Sequence, residues 1–337
     1  YIQLNVEKYG GMICSPWLDR PLSVAGRVLL RTAKGVETRL LNIDRDLLII
    51  PNLAIHMNRE VNDGYKFNAQ KDMLPLFSTE EGKGSFKKIV AEALSVKEEC
   101  ILDWDLFLYN RQKATFLGAE EEFIGSGRLD DLQCAFASLQ GILSAKPKDS
   151  VAVHCVYDNE EVGSSTKQGA ASTFLADVLQ RIFLERGEDR AAYLRAIANS
   201  FMISADNAHA VHPNYTDKSD PSNRVYMNGG IVVKHSANQL YTTDALSDAV
   251  FRYLASEAGV KLQHFHNRSD VTGGSTLGNL SGNQVALSTV DIGLAQLAMH
   301  SPYETAGCSD YLDFIRLATR FYSLRTEARD GGFAFSD

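Results

Sequence analysis

From about residue 119 onward the sequence alternates between strand-like and helix-like patterns, and this alternation limits the fold more than any other feature. Residues 131–143 place Leu132, Ala135, Phe136, Leu139, Ile142 and Leu143 on one helical face, with Pro147 beyond the end. Val151 to Tyr157 is then a nearly continuous apolar run, the pattern of a strand covered on both faces. A second helix is expected from Ala171, Phe174, Leu175, Val178, Leu179, Ile182 and Phe183 in period, closed by Gly187. Phe201–Ser204 and Ile231–Val233 read as further strands, and Asp244 to Ala258 as a third helix with Gly259 just past its end. Strands alternating with helices imply an α/β fold, a layered sheet with helices on both faces.

Before residue 119 the grammar is different. Arg27–Thr32 and Glu37–Ile43 flank a turn-like Ala-Lys-Gly, which predicts a hairpin, and Leu47–Pro51 adds a short strand stopped by proline. The chain therefore divides, on pattern, into a lead-in over 1–12, a smaller β-rich domain over 13–118 and an α/β domain over 119–337. With 45% hydrophobic and 23% charged residues the composition is globular. A net charge of −8 argues against nucleic-acid binding, which rests on many Lys and Arg contacts to phosphate. No apolar run is long enough to cross a bilayer, and the first residues lack a secretory pattern. The five cysteines (14, 100, 134, 155 and 308) are scattered and form no C-x-x-C pair, so reduced thiols in a cytoplasmic protein are expected.

Polar residues collect where the strands should end, which is where open α/β sheets carry their sites. The run 151–157 leads directly into Asp158-Asn159-Glu160-Glu161. Two adjacent glutamates at the mouth of a strand point in different directions, one toward a cation and the other toward a water beside it; an acidic turn before a helix is the competing reading. Asp130 precedes a helix, where aspartate is also a common N-cap. Asp206 opens the stretch Asp206-Asn-Ala-His209-Ala-Val-His212, a mixture of nitrogen and oxygen donors that suits zinc without matching a standard spacing. Gly273 to Gly278 lacks the lysine and spacing of a phosphate loop, and there is no G-x-S-x-G elbow. Metal-assisted hydrolysis is the reaction class these residues favour.

Six stretches make the reading more specific. Asn52-Leu-Ala-Ile-His56, Arg128-Leu-Asp-Asp131, Tyr157–Ser164, Phe201–Tyr215, Asp270–Gly278 and Asp291–Ser301 together resemble the aspartyl aminopeptidase family of di-zinc exopeptidases, in the family's order, over residues 3 to 322. The resemblance implies that Asp130 bridges two metal ions, that Glu161 and His300 complete one zinc site, and that Asp206 belongs to the other. It implies that Glu160 is the general base that takes a proton from the attacking water. His56 matches a residue that reaches a neighbouring subunit's active site, and the smaller domain is then a dimerisation domain. Lys234 and Tyr241 match the first substrate pocket, with His209 close by, and a lysine there suits an acidic N-terminal side chain. Two Zn2+ per subunit are implied, with Mn2+ or Co2+ as alternatives for N/O donors. Short peptides are the implied substrates, and a homodimer that assembles to a dodecamer is the implied oligomer.

One departure stands out. The family carries a further zinc-ligand histidine, in an H-T-D motif, upstream of the region matching Val6–Gly10. The eight histidines of this chain are 56, 154, 209, 212, 235, 264, 266 and 300, so none precedes residue 56. The strand that precedes that ligand is expected to be missing too, leaving one position of the sheet unfilled, and the working enzyme is expected to be longer than this chain. Two functions are therefore compared: a metal-dependent aminopeptidase, and a non-catalytic peptide-binding or assembly protein on the same fold.

Overall fold

A computed structural model describes residues 1–80 and 85–336. The chain forms two compact units, Tyr1–Ala114 with His300–Tyr303, and Thr115–Met299 with Glu304–Asp337.

The first unit is built on strands β1 (Leu22–Thr32) and β2 (Gly35–Asn42), helix α1 (Phe86–Leu94) and strand β3 (Ile101–Asn110). The three strands are antiparallel in the order β2-β1-β3. The hairpin expected around Ala-Lys-Gly is present, with Thr32 opposite Gly35. On central strand β1, Leu22, Val24, Val28 and Leu30 point into a core shared with Val90 and Ala91 of α1. Apolar side chains at every second position follow from the two-residue period of a strand. Leu48, Ile49 and Ile50 form isolated bridges to Leu22, Leu76 and Leu18 and no continuous strand, because each pairs with a different segment.

The second unit opens with β4 (Thr115–Leu117), β5 (Phe123–Ser126), α2 (Leu129–Ser144), α3 (Phe174–Glu185) and α4 (Arg190–Ala198). It continues with β6 (Phe201–Ala205), β7 (Ala208–His209), β8 (Ile231–His235), α5 (Ala245–Ala258) and β9 (Leu262–His266). Helix α6 (Leu277–Gly282), β10 (Ser288–Gly293), β11 (Ala295–Leu297), β12 (Glu304–Gly307) and α7 (Cys308–Ser323) follow, and a hairpin of β13 (Arg325–Arg329) and β14 (Gly332–Ser336) ends the description. One sheet has the order β9-β8-β10-β6 and a second the order β4-β5-β12-β11-β7. In the first, β8 runs parallel to β9 and β10 parallel to β6, while β8 and β10 are antiparallel.

The expected layering holds. Ile231, Val233, Val290 and Ile292 pack on Phe251 and Leu254 of α5 and on Phe314 and Leu317 of α7. The intervening residue Asp291 turns to the opposite face, where α6 brings Gly278 so close to Ser204 and Asp291 that any side chain there would collide with both. Helix α5 carries its own punctuation. Asp244 accepts from Ser247 N at 2.7 Å, in a capping box, and Gly259 ends the helix in the left-handed region.

Two expectations from periodicity fail. The run Val151–Tyr157 pairs with no described strand, although it is apolar apart from His154. A strand needs a neighbour for its backbone groups, and this run and the edge strand β6 both line a cavity of about 600 Å3. Helix α2 forms where expected, but its buried stripe is Cys134, Ala137 and Gly141. Leu132, Phe136 and Leu143, read as core positions, are exposed. The small residues win because they let α7 approach closely: a Cβ on Gly141 would overlap the side chain of Ala318.

Gly141→Val is therefore expected to destabilise the protein by about 1–3 kcal/mol through overpacking, whereas Leu143→Ala changes stability by less than about 0.5 kcal/mol. Urea unfolding followed by far-UV circular dichroism measures both; a larger loss for Leu143→Ala would refute the assigned packing.

Candidate metal centre

Strand β6 carries Phe201, Ile203 and Ala205 into the apolar core, so alternation sends Ser204 and then Asp206 to the opposite face. Asn207, next in sequence, is buried and ties this strand end to the start of α2. Its amide donates to Leu129 O at 2.7 Å and to Gln296 Oε1 at 2.9 Å, and its carbonyl oxygen accepts from Cys134 Sγ at 3.2 Å. These bonds bring Asp206 to Asp130 and Asp131, which have non-helical backbone angles at the head of α2. Carboxylate oxygens from Asp130, Asp131 and Asp206 all lie within 4.8 Å of one another.

Glu160 and Glu161 sit in a single 3-10 turn, Glu160–Val162. The turn is set by Asn159, whose side-chain oxygen accepts from Thr166 Oγ1 at 3.1 Å and from Gln168 Nε2 at 2.6 Å. Ser164 N donates back to Asn159 O at 3.0 Å and closes the loop. Both glutamates line the same cavity as Asp130, Asp131 and Asp206, with Tyr157 and Gly278 nearby in its wall.

Lys234 is 2% exposed, with its ammonium 3.6 Å from Asp206 Oδ2 and donating to the backbone oxygens of Asp206 and Asn207 at 3.0 and 3.2 Å. The Tyr241 ring lies 5.3 Å from the same ammonium, a cation–π contact. His209 and Tyr241 both approach Phe265, at 6.2 and 6.3 Å between ring centres. The structure thus groups Lys234, Tyr241 and His209 around the end of β8.

His56 and His300 belong to the first unit. His56 stands in an exposed turn, with Met57 N donating to Ala54 O at 2.8 Å. Neighbouring Leu53, Ile55 and Met57 are also exposed. His300 lies with φ 67°, in the left-handed region, its Nδ1 2.9 Å from the Gly11 carbonyl and its own carbonyl accepting from Ile13 N at 3.1 Å. A non-glycine residue held there costs of order 1 kcal/mol or more, and such residues cluster at functional sites.

Burial is the main cause that pushes the Asp130 carboxyl up to about 9, with Asp206, Glu161 and Glu304 adding repulsion. Burial and Asp206 raise Asp131 in the same direction. Burial opposes the charge on Lys234, but Asp206 and Asp291 outweigh it and the lysine is raised. Asp131 Oδ1 is buried without a hydrogen-bond partner among the described residues. Converging carboxylates with unmet charge and acceptor capacity fit a hard or borderline divalent cation, for which oxygen donors are normal ligands.

A family model described as "Aminopeptidase I zinc metalloprotease (M18)" matches residues 1–322. The chain belongs to the M18 aminopeptidase family. It is 49% identical over 330 residues to a probable M18 family aminopeptidase 2 of Clostridium acetobutylicum, a match covering 96% of this chain and 76% of the relative. A chain solved by cryo-EM in the Ape4 and Nbr1 complex is 36% identical with a TM-score of 0.89, covering 96% of this chain and 66% of that one. A Saccharomyces cerevisiae M18 structure solved as a dodecamer is 27% identical with a TM-score of 0.78, covering 96% and 73%. The sheet-and-helix arrangement described above is the M18 fold, and the family is one of zinc metallopeptidases.

Within this M18 chain, two acids at the centre have no role in the sequence reading. Asp131 lies in the Arg128–Asp131 motif but next to a stronger candidate. Glu304, 2% exposed, accepts from Asp130 N at 3.0 Å and helps hold that residue. Only its burial marks it, and burial of one glutamate cannot be read from sequence.

The raised Asp130 sets a pH dependence. A carboxyl raised from 3.8 to about 9 contributes stability that is whole below pH 4 and is lost as pH climbs through 9. Metal-free protein should therefore lose melting temperature from pH 5 to 8.5 more steeply than Asp130→Asn, which mimics the protonated acid. Differential scanning fluorimetry in a chelator decides this, and parallel profiles would refute the assignment.

Proposed function

We propose that this chain carries the catalytic machinery of a metal-dependent aminopeptidase, which releases N-terminal residues from short peptides with Glu160 as general base. The observation that carries this reading is the buried carboxylate cluster with Glu160 and Glu161 on the same cavity wall, in a chain matched to M18 over nearly its whole length. Asp130, Glu161 and His300 would hold one zinc, and Asp130 with Asp206 would contribute to a second; Mn2+ or Co2+ would suit the same donors. Such ions polarise a scissile carbonyl and lower the pKa of an attacking water.

The chain's own groups do the rest. Glu160 accepts the proton of the attacking water and hands it to the leaving amine, work worth about 10²–10⁴ in rate for a positioned carboxylate. Lys234 fixes Asp206 through its ammonium, so the carboxylate faces Asp130 in one orientation. Tyr241 and His209 flank the substrate's first side chain; the preference for acidic residues rests on the family resemblance, since the Lys234 ammonium is buried against Asp206. His56, on its exposed turn, suits a group that reaches a second copy of the chain and stabilises a developing oxyanion there. A homodimer built through the first unit, and a closed assembly like that of the dodecameric relative, follow from this role. All five cysteines are free thiols, which suits a reducing, cytoplasmic setting.

Glu160→Gln is expected to lower kcat by about 10²–10⁴ with metal content near that of the parent, while His300→Ala lowers bound zinc. Peptide hydrolysis and metal counting on the same preparations check both, and equal zinc loss in the two variants would overturn the roles given to Glu160 and Glu161. The Glu-to-Leu ratio of kcat/KM on matched dipeptides tests acid preference; a ratio below one removes it. Failure of the metal-loaded protein to release any residue from a broad peptide panel would favour the non-catalytic reading.

A further inference from the structure

Strand β8 presents opposite faces at consecutive residues. Lys234 turns toward Asp206, while His235 shares the face of Val233, which packs against α5. On the parallel neighbour β9, His264 and His266 are two residues apart and share that face, His266 being the register partner of His235. Asp248, in the first turn of α5, approaches the same place. His235, Asp248 and His264 thus converge on the side of the sheet away from the carboxylate centre, with one donor atom from each within 4.8 Å of the others.

We propose that His235, Asp248 and His264 form a second, separate binding site for a transition-metal ion of the Zn2+ class, which ties β8 and β9 to helix α5. The donor set is two imidazoles and a carboxylate, with water completing the coordination, a combination suited to zinc and cobalt. Ligand atoms around a tetrahedral zinc with bonds near 2.0–2.1 Å stand about 3.4 Å apart. His235 Nε2 and His264 Nδ1 are 3.1 Å apart, and His264 Nδ1 is 3.9 Å from Asp248 Oδ1, so small side-chain rotations close the site.

Three further features point the same way. Asp248 is only 9% exposed, and its Oδ1 has no hydrogen-bond partner among the described residues. Its other oxygen, Oδ2, accepts from Arg252 Nε at 3.0 Å and lies 2.9 Å from Arg252 Nη2, so the guanidinium orients the carboxylate from behind. His266 stacks on His235 at 4.8 Å with ring planes 4° apart and restricts its rotation. A hydrogen bond between the two histidines explains their contact but leaves Asp248 Oδ1 unsatisfied.

The test counts ions on the intact chain after equilibrium dialysis against Co2+. Each of His235→Gln, His264→Gln and Asp248→Asn should bind about one ion fewer than the parent and lose visible absorption bands of four-coordinate cobalt. Far-UV circular dichroism and peptide hydrolysis should stay at parental levels, which separates this site from the carboxylate centre. His154→Gln, a histidine elsewhere in the unit, should leave the count unchanged. Any variant that unfolds is replaced by the other two, and identical ion counts in the folded variants and the parent would overturn the proposal.

Discussion

Mutual repulsion among buried acids is the constraint around which the second unit is arranged. Asp130, Asp131 and Asp206 point their carboxylates at one another in a setting that disfavours charge. Left alone, such a group would take up protons or push apart. Asp130 and Asp131 do hold their protons more tightly, and the surroundings keep the group from moving apart. Asn207 anchors β6 to the head of α2, Glu304 accepts from the Asp130 amide, and Lys234 stands against Asp206. Without an ion, Asp130 and Asp131 keep their protons, and a divalent cation is the chemical species that can take the place of those protons without disturbing the bonds around them. The M18 match supplies the same conclusion from an independent direction.

The sheet serves this centre by strict alternation. On β6, β8 and β10, every second residue enters the core beneath α5 and α7, and the residues between them place Ser204, Lys234 and Asp291 on the other face, beside the apolar Met202 and Val232. Asp291 shows how exacting that face is. It is completely buried, yet Thr276 Oγ1 and Thr242 Oγ1 donate to its carboxylate at 3.0 and 2.8 Å, and Gly278 leaves room for it. A side chain at 278 would push on Ser204 and Asp291 together, and Asp206 lies two residues beyond Ser204 on the same strand.

Much of this was legible in the sequence because the strongest signals were local. The hairpin at Thr32–Gly35, the cap at Asp244 and the stop at Gly259 depend on a few neighbouring residues, and each is where local chemistry puts it. The failures concern partners distant in sequence. Periodicity found helix α2 but chose its larger apolar stripe, since nothing local reveals that Ala318 and Thr319 press against Gly141. The run 151–157 has the composition of a central strand, but composition provides no ladder, and hydrogen-bond partners decide whether an extended segment becomes a strand. For the centre, the six motifs named Asp130, Glu160, Glu161 and Asp206, and the structure adds Asp131 and Glu304, which only three-dimensional proximity could bring in.

Backbone strain gives the last link between fold and site. Arg128, Asn159 and His300 all adopt left-handed angles, with φ of 61°, 59° and 67°. Asparagine tolerates that region, because its short amide can bond locally, as Asn159 does with Thr166 and Gln168. Arginine and histidine carry bulkier side chains, so glycine would be the cheaper residue at 128 and 300 if conformation alone mattered. Arg128 lies two residues before Asp130 and Asn159 one before Glu160, while His300 is itself a candidate ligand. A glycine at 300 would relieve the backbone and remove the imidazole. Left-handed angles also occur at Ser95, Gln239 and Ala298, so what marks position 300 is the imidazole itself, whose Nδ1 lies 2.9 Å from the Gly11 carbonyl and is held in direction by it.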